Sequence, residues 1–250
     1  MRHVELLGLP GAGKSTLTRA IARKLAEHGA GIDLDRAVHA SIRQRGDDPV
    51  ARLVARVVGP SGKLWKAAYG RSSERVAALS RFLADHPETL EAVLRAQRLR
   101  RQRDRHQEVV LGWILNLAAR FQLASEVVDG YLLIDEGFCQ RAVALFAFGF
   151  SDEDRQLLES YIDSIPLPHL VVSVQVDSET ARQRLNRRGW SERLARADSS
   201  MRDRFIADAG IVVGLVEEAL QDRTEVLAVD GTEPADEVAE HAVQHLLAAN

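Results

Sequence analysis

Cysteine is nearly missing from this chain. Cys139 stands alone among 250 residues, which excludes an intrachain disulfide and an all-cysteine metal site. Such scarcity fits a reducing compartment, and a cytoplasmic location is expected. An excess of charge of one sign is missing too. Lys and Arg number 33 against 36 Asp and Glu, a formal net charge of −3, so nothing in the whole-molecule charge asks for nucleic acid or an anionic membrane as partner. No apolar stretch reaches the roughly 18–20 residues that a membrane span needs. The first apolar run, Val4 to Leu9, breaks at once into Pro10-Gly11 and does not read as a signal segment. The histidines are scattered, with no helix-face pair near a third ligand, so a zinc site is not expected.

What is present is a globular balance of 46% apolar and 28% charged residues, over a length that suits one α/β domain with a full core. Short apolar runs recur at Val4–Leu7, weakly at Gly31–Leu34, and again at Tyr131–Asp135, Leu170–Val176 and Val226–Val229. Each has the continuous apolar character of a strand buried on both faces of a parallel sheet. Helical spacing is expected between them, over Ser15–His28, Asp152–Ile165, Ser178–Arg188, Ser191–Asp222 and Ala235–Ala249. Alternating strands and helices predict a three-layer α/β/α fold. Residues 37–128 carry almost no strand signal. They read as a helical insertion packed on the sheet, broken near Gly59-Pro60-Ser61-Gly62 and at Asp85-His86-Pro87-Glu88.

Gly8-Leu9-Pro10-Gly11-Ala12-Gly13-Lys14-Ser15-Thr16 matches G-x-x-x-x-G-K-[ST]. Glycines let the backbone curl so that successive N–H groups point at phosphate oxygens, and the following helix turns its positive end to the same anion. The cradle therefore comprises Gly11, Ala12, Gly13, Lys14, Ser15 and Thr16. Lys14 is expected to reach the β- and γ-phosphates, and the Ser15 hydroxyl to ligate Mg²⁺. The motif sits between a strand and a helix, the context that separates it from a chance glycine-rich turn. Tyr131-Leu132-Leu133-Ile134-Asp135-Glu136 puts two carboxylates at the end of a buried strand. With a P-loop in hand, Asp135 is the expected second holder of Mg²⁺, through water. Glu136 is a candidate for an acid that supports the metal site from behind, a general base, or a polar contact for an acceptor hydroxyl.

No N/T-K-x-D segment reads guanine and no L-S-G-G signature marks an ABC-type ATPase. Instead, residues 176–193 run from a strand into a helix carrying Arg182, Arg184, Arg187 and Arg188, with Arg193 beyond Gly189. Guanidinium groups stabilise the charge that spreads over a transferring phosphoryl group; a solvated helix face is the plain alternative. In this order the P-loop, the Asp135 strand end, the arginine-rich segment and Val229-Asp230-Gly231-Thr232 resemble the nucleoside-monophosphate kinase superfamily. Thymidylate kinase is the most similar member, deoxynucleoside kinases are next, and there is a faint similarity to adenylate kinase.

The resemblance implies a P-loop NTPase fold with a five-stranded parallel sheet in the order 2-3-1-4-5, and an arginine-rich lid at 178–200. It implies ATP and Mg²⁺ as cofactors and a small-molecule phosphoryl acceptor as partner. Leu115-Asn116-Leu117-Ala118-Ala119-Arg120 is similar to a thymidylate kinase helix whose Ala-x-Arg element contacts the acceptor's phosphate, which assigns Arg120 to the acceptor. The helix–strand pair of deoxynucleoside kinases suggests Trp113 and Asn116 as lining residues. Arg141 takes the place of an arginine that those families carry directly after the strand-end acid, where Glu136 stands here. Asp33, Asp35 and Arg36 lie where a second-strand signature is expected, with Asp33 a second candidate base and Arg36 an acceptor contact. Lid arginines Arg184, Arg188 and Arg193 are expected at the transferring group.

The dense basic run from Arg98 to His106 lacks aromatic interleaving and is expected to be a solvated helix face, with an acceptor or partner contact as the alternative. Leu145-Phe146-Ala147-Phe148-Gly149-Phe150 is expected to pack under the insertion; pairing of two copies through it, a homodimer, is the alternative. Two functional readings stay open. One is an ATP-dependent kinase of a nucleotide-like, nucleoside-like or other small acceptor. The other is a P-loop ATPase or nucleotide switch whose helical insertion binds a protein.

Overall fold

The computed structural model describes residues 1–100 and 107–248. Five parallel strands form one sheet: β1 (Arg2–Gly8), β2 (Gly31–Asp33), β3 (Tyr131–Ile134), β4 (Leu170–Gln175) and β5 (Glu225–Asp230), in the order β2-β3-β1-β4-β5. Every neighbouring pair is parallel, with Val4 beside Leu133 on one flank and Leu170 on the other. The central strands are buried on both sides, as their unbroken apolar runs require.

Helices cover both faces. They are α1 (Lys14–Glu27), α2 (Leu34–Arg45), α3 (Pro49–Val57), α4 (Lys63–Arg71), α5 (Ser73–Asp85), α6 (Pro87–Arg100), α7 (Gln107–Ser125), α8 (Phe138–Phe146), α9 (Arg155–Ser164), α10 (Ser178–Arg188), the single turn α11 (Glu192–Ala195), α12 (Ser199–Leu220) and α13 (Ala235–Ala248). Among the described residues no helix is long and apolar enough to cross a membrane.

Aspartates set several of the helix starts. Asp33, Asp48, Asp177 and Asp198 each accept a backbone N–H from the first turn of α2, α3, α10 and α12, satisfying donors that a helix leaves open. Capping by Asp33 is why the second strand stops at Asp33 and why Leu34, expected as strand, opens α2. The expected breaks at 59–62 and 85–88 separate α3 from α4 and α5 from α6. Two more breaks, at 46–48 and at Ser72, were not expected, although Gly46 and Pro49 flank the first. The stretch expected as one helix over Ser191–Asp222 is two, because Asp198 starts a new helix.

The helices between β2 and β3 share the main core. Phe82 of α5 stacks on Phe138 of α8 at 5.6 Å between ring centroids, and Phe121 of α7 meets Phe138 edge-on at 5.6 Å. Leu145, Phe146 and Ala147 are fully buried in that core, and Phe148 and Phe150 pack against it half-buried. Arg98 is exposed, but Arg100 departs from the expected solvated face. It is 0% exposed, ion-paired with the buried Asp154, and it donates to the carbonyls of Phe146 (2.9 Å) and Phe148 (2.7 Å). Paired and hydrogen-bonded in this way, an arginine can leave water. Arg101, Arg103, Arg105 and His106 lie outside the described residues.

Candidate functional site

The glycine-rich turn joins β1 to α1 at the carboxyl edge of the central strand. Gly11 and Gly13 hold φ values of +91° and +104°, a region that L side chains avoid. A Cβ on Gly11 would also lie 2.6 Å from the carbonyl oxygen of Ala181 in α10, so the loop sits directly under the arginine-rich helix. The loop closes on itself through Ala12 N–H to the Leu9 carbonyl at 3.0 Å. The N–H groups of Gly13, Lys14 and Ser15 find no acceptor among the described residues. They form an open set of donors at the start of a 14-residue helix, a cradle for an anion.

Lys14 is buried, and its Nζ donates to the carbonyls of Gly8 (2.8 Å) and Leu9 (2.9 Å). Burial lowers its pKa to about 8, against the pull of Asp135 and Glu136, while Arg188 pushes the same way as burial. The ammonium is therefore held close to its titration point by desolvation, and an arriving phosphate would restore its charge. Nucleotide affinity is expected to fall as pH rises through 8, by up to about tenfold per unit, with proton uptake on binding above that pH. Calorimetric titration at pH 8.5 in buffers of different ionisation enthalpy measures that uptake.

Asp135, at the end of β3, has its pKa raised by burial and by Glu136, while Ser15, Lys14 and Thr18 act in the opposite sense. Its Oδ1 is buried without a hydrogen-bond partner. A buried acceptor with nothing to accept, beside a serine hydroxyl and an open anion cradle, suits a hydrated divalent cation. Among the described residues no three His, Cys, Asp or Glu side chains converge as a ready-made metal cage. A cation here would need water and phosphate oxygens to complete its shell, which is how Mg²⁺ is commonly held.

From this edge a cleft of about 800 Å³ opens between the P-loop, the start of α2 and α7. It brings together the sequence-nominated Ser15, Asp33, Arg36, Trp113, Asn116, Arg120, Asp135, Glu136 and Arg141, joined by Asp35 and Arg19. Its charges come in pairs. Asp33 caps α2 through Arg36 N–H (2.9 Å) and meets Arg36 Nε at 3.3 Å. Arg120 pairs with Asp35, and Arg141 meets Glu136 at 2.9 Å while lying 5.4 Å from the ring centre of Trp113.

The three nominated lid arginines are placed differently from one another. Arg188 is exposed at the end of α10 and close enough to act on Lys14. The Arg184 guanidinium donates to the carbonyls of Ala12 and Gly231, both at 2.9 Å. It thus ties the P-loop to the turn after β5 and lines a second, smaller cleft of about 290 Å³ with Ala12, Gly13, Thr16, Asp230 and Glu233. Arg193 lies 3.5 Å above the ring of Phe148 and lines neither cleft.

Two supporting residues escaped the sequence reading. Glu5, on β1, is 0% exposed and accepts from the N–H groups of Phe138 (3.0 Å) and Cys139 (2.7 Å) at the start of α8. Gln140, on the same helix, accepts the N–H of Gly8 at 3.1 Å. A carboxylate inside an apolar strand run was the only available sign for Glu5. Gln140 left none.

No protein-family model matches the sequence, and no curated protein matches it. Solved structures do. Deoxyadenosine kinase from M. mycoides with bound dCTP superposes with a TM-score of 0.53 at 11% identity, covering 98% of this chain and 99% of that one. The same enzyme with bound dATP gives 0.52 at 14% identity over the same shares. Shikimate kinase from Acinetobacter baumannii in complex with shikimate covers 100% of this chain and 95% of its own at 16% identity, with a TM-score of 0.39, too low to carry weight. At such identities the likeness establishes the fold: a five-stranded parallel sheet in the order 2-3-1-4-5 with helices on both faces, as in P-loop kinases.

Proposed function

We propose that the protein is a P-loop phosphotransferase that moves the γ-phosphoryl group of ATP to a small acceptor bound in the larger cleft. The observation that carries this reading is the continuity of that cleft with the phosphate cradle, since Ser15 and Asp135 line the same space as Trp113, Asn116, Arg120 and Arg141. A switch or plain ATPase needs no room for a second ligand beside the γ-phosphate. The P-loop kinase fold and the order of motifs resembling thymidylate kinase support the same reading.

In this reading the nucleotide phosphates lie in the cradle of Gly11 to Thr16, on the open N–H groups of Gly13, Lys14 and Ser15, and Lys14 leaves the Gly8 and Leu9 carbonyls for the β- and γ-phosphates. Magnesium would be held by Ser15 and, through water, by Asp135, and would neutralise charge on the phosphates. The smaller cleft, closed by Arg184 and bordered by Asp230 and Glu233, would take the nucleoside end of ATP. Arg188 would move onto the transferring group as the segment 178–200 closes and excludes water. Arg193 would need a larger displacement from Phe148 to do so. The helices over 37–128 would form the acceptor side, with Arg36, Asn116, Arg120 and Arg141 holding it and Asp33 or Glu136 receiving its proton.

Labelled γ-phosphate tests the proposal directly. Transfer of label into an organic product, from a panel of nucleosides, nucleoside monophosphates and hydroxylated metabolites, is the expected result. Label that appears only as inorganic phosphate, whatever the acceptor, would favour the ATPase or switch. Asp135→Asn should raise the Mg²⁺ concentration needed for half-maximal transfer by about tenfold or more, measured by metal titration at saturating ATP.

A further inference from the structure

The acceptor half of the larger cleft is electrically compensated. Arg36, Arg120 and Arg141 reach it from α2, α7 and α8, and each already has a carboxylate partner: Asp33 at 3.3 Å, Asp35, and Glu136 at 2.9 Å. With Arg19 and Asp135 the lining holds four arginines and four carboxylates. We infer that, if the protein is a phosphotransferase as proposed above, its acceptor is an uncharged hydroxyl compound, nucleoside- or sugar-like, and not a phosphomonoester.

A phosphate dianion bound by Arg36, Arg120 or Arg141 would have to break that arginine's pair, leaving the displaced carboxylate beside it. Like charges that close repel, and water around these half-exposed groups weakens the repulsion without removing it. An uncharged alcohol meets no such conflict. Carboxylates accept its hydroxyl protons, guanidinium groups donate to its oxygens, and the pairs hold both kinds of partner in fixed geometry.

The chemistry of transfer agrees. A phosphate oxygen attacks without losing a proton, whereas an alcohol must shed one. The acceptor oxygen forms a bond to the γ-phosphorus, and the bond from that phosphorus to the β-bridging oxygen breaks. ADP leaves with its electron pair. The hydroxyl proton passes to Asp33 or Glu136 and then to water. Both carboxylates line the cleft, so a proton acceptor is at hand for an alcohol bound there.

The test has a binding arm and a turnover arm. With the P-loop filled by Mg·ADP, nucleosides, sugars, their monophosphates and inorganic phosphate are titrated while the fluorescence of Trp113 is followed, using Trp113→Phe to subtract Trp65 and Trp190. Wild-type protein should show no Trp113-dependent saturation with monophosphates or phosphate at millimolar concentration. Asp35→Asn and Glu136→Gln remove surface carboxylates more than half exposed, so both should fold. Each should bind monophosphates about tenfold or more tightly than wild type, because a released guanidinium gains a charge-assisted partner.

In the turnover arm, label from ATP should enter an unphosphorylated nucleoside or sugar, and which of the two does so identifies the class. Tight monophosphate binding by wild type that these variants weaken or leave unchanged would overturn the inference. So would faster transfer to monophosphates than to their parent alcohols, and the phosphotransferase reading would survive either result. Hydrolysis without any organic product would instead sink that reading itself.

Discussion

Lys14→Ala should reduce acceptor-dependent phosphoryl transfer by roughly 10²–10³-fold, the usual cost of removing one preorganised group aimed at developing charge. Lys14 is the cradle's own cation, carried on the first residue of α1 and fixed against the Gly8 and Leu9 carbonyls. Its pKa of about 8 means that burial has already removed much of its hydration. A phosphate that replaces the two carbonyls therefore gains a cation with little water to displace. Arg188, which acts electrostatically on Lys14, remains in the variant and accounts for a residual rate. The loss should fall on transfer and not on folding, because the contacts given up are two hydrogen bonds within one loop. A melting temperature within a few degrees of wild type, beside a collapsed rate in a coupled ADP assay, is the combination to look for. Lys14→Arg should recover little, since a planar fork of five donors does not fit where a point charge reaches two carbonyls.

Glu5→Ala should be the most damaging change far from any ligand. Two backbone N–H groups at the start of α8 lose their carboxylate acceptor in a fully buried place. Leaving them unsatisfied, together with the lost charge-assisted bonds, costs roughly 3–5 kcal/mol, or about 10 °C in melting temperature for a chain of this size. Glu5→Gln keeps one oxygen for one N–H and should lose roughly half as much. The effect should also reach function, because α8 carries Gln140, which holds Gly8 N–H, and Arg141, which faces the cleft. Thermal unfolding followed by circular dichroism gives the first number. Nucleotide affinity of the Gln variant, at a temperature where it is folded, gives the second. Unchanged melting in Glu5→Ala would mean that α8 starts without this carboxylate.

The strands and the phosphate cradle were legible in sequence for a simple reason. A strand buried on both faces must be apolar throughout, and a loop that curls around phosphate must have glycine where φ is positive. The helix boundaries that showed themselves were those marked by Gly-Pro or His-Pro. Starts made by a lone aspartate, such as Asp198 or Asp33, did not, because an aspartate in a polar stretch is common and its capping bond is invisible until the chain is folded. The cleft-lining residues Trp113, Asn116, Arg120 and Arg141 were nominated through resemblance and do converge on one space. Their pairing with Asp35 and Glu136 depends on contacts across 85 residues in the first case and on the turn into α8 in the second. No spacing rule reports such contacts. The same holds for Arg100, which reads as one more charge in a basic run yet lies buried on Asp154, and for Arg184, whose two carbonyl partners come from opposite ends of the chain.

The central claim is that the large cleft holds the acceptor of ATP's γ-phosphoryl group. It is tested most directly by the stoichiometry of ADP to phosphorylated product, measured with Mg²⁺ and ATP in the presence and absence of an acceptor. One phosphorylated product for each ADP, with little ADP when the acceptor is left out, is the predicted result. ADP and free phosphate released together, at one rate whether or not any acceptor is present, would contradict it.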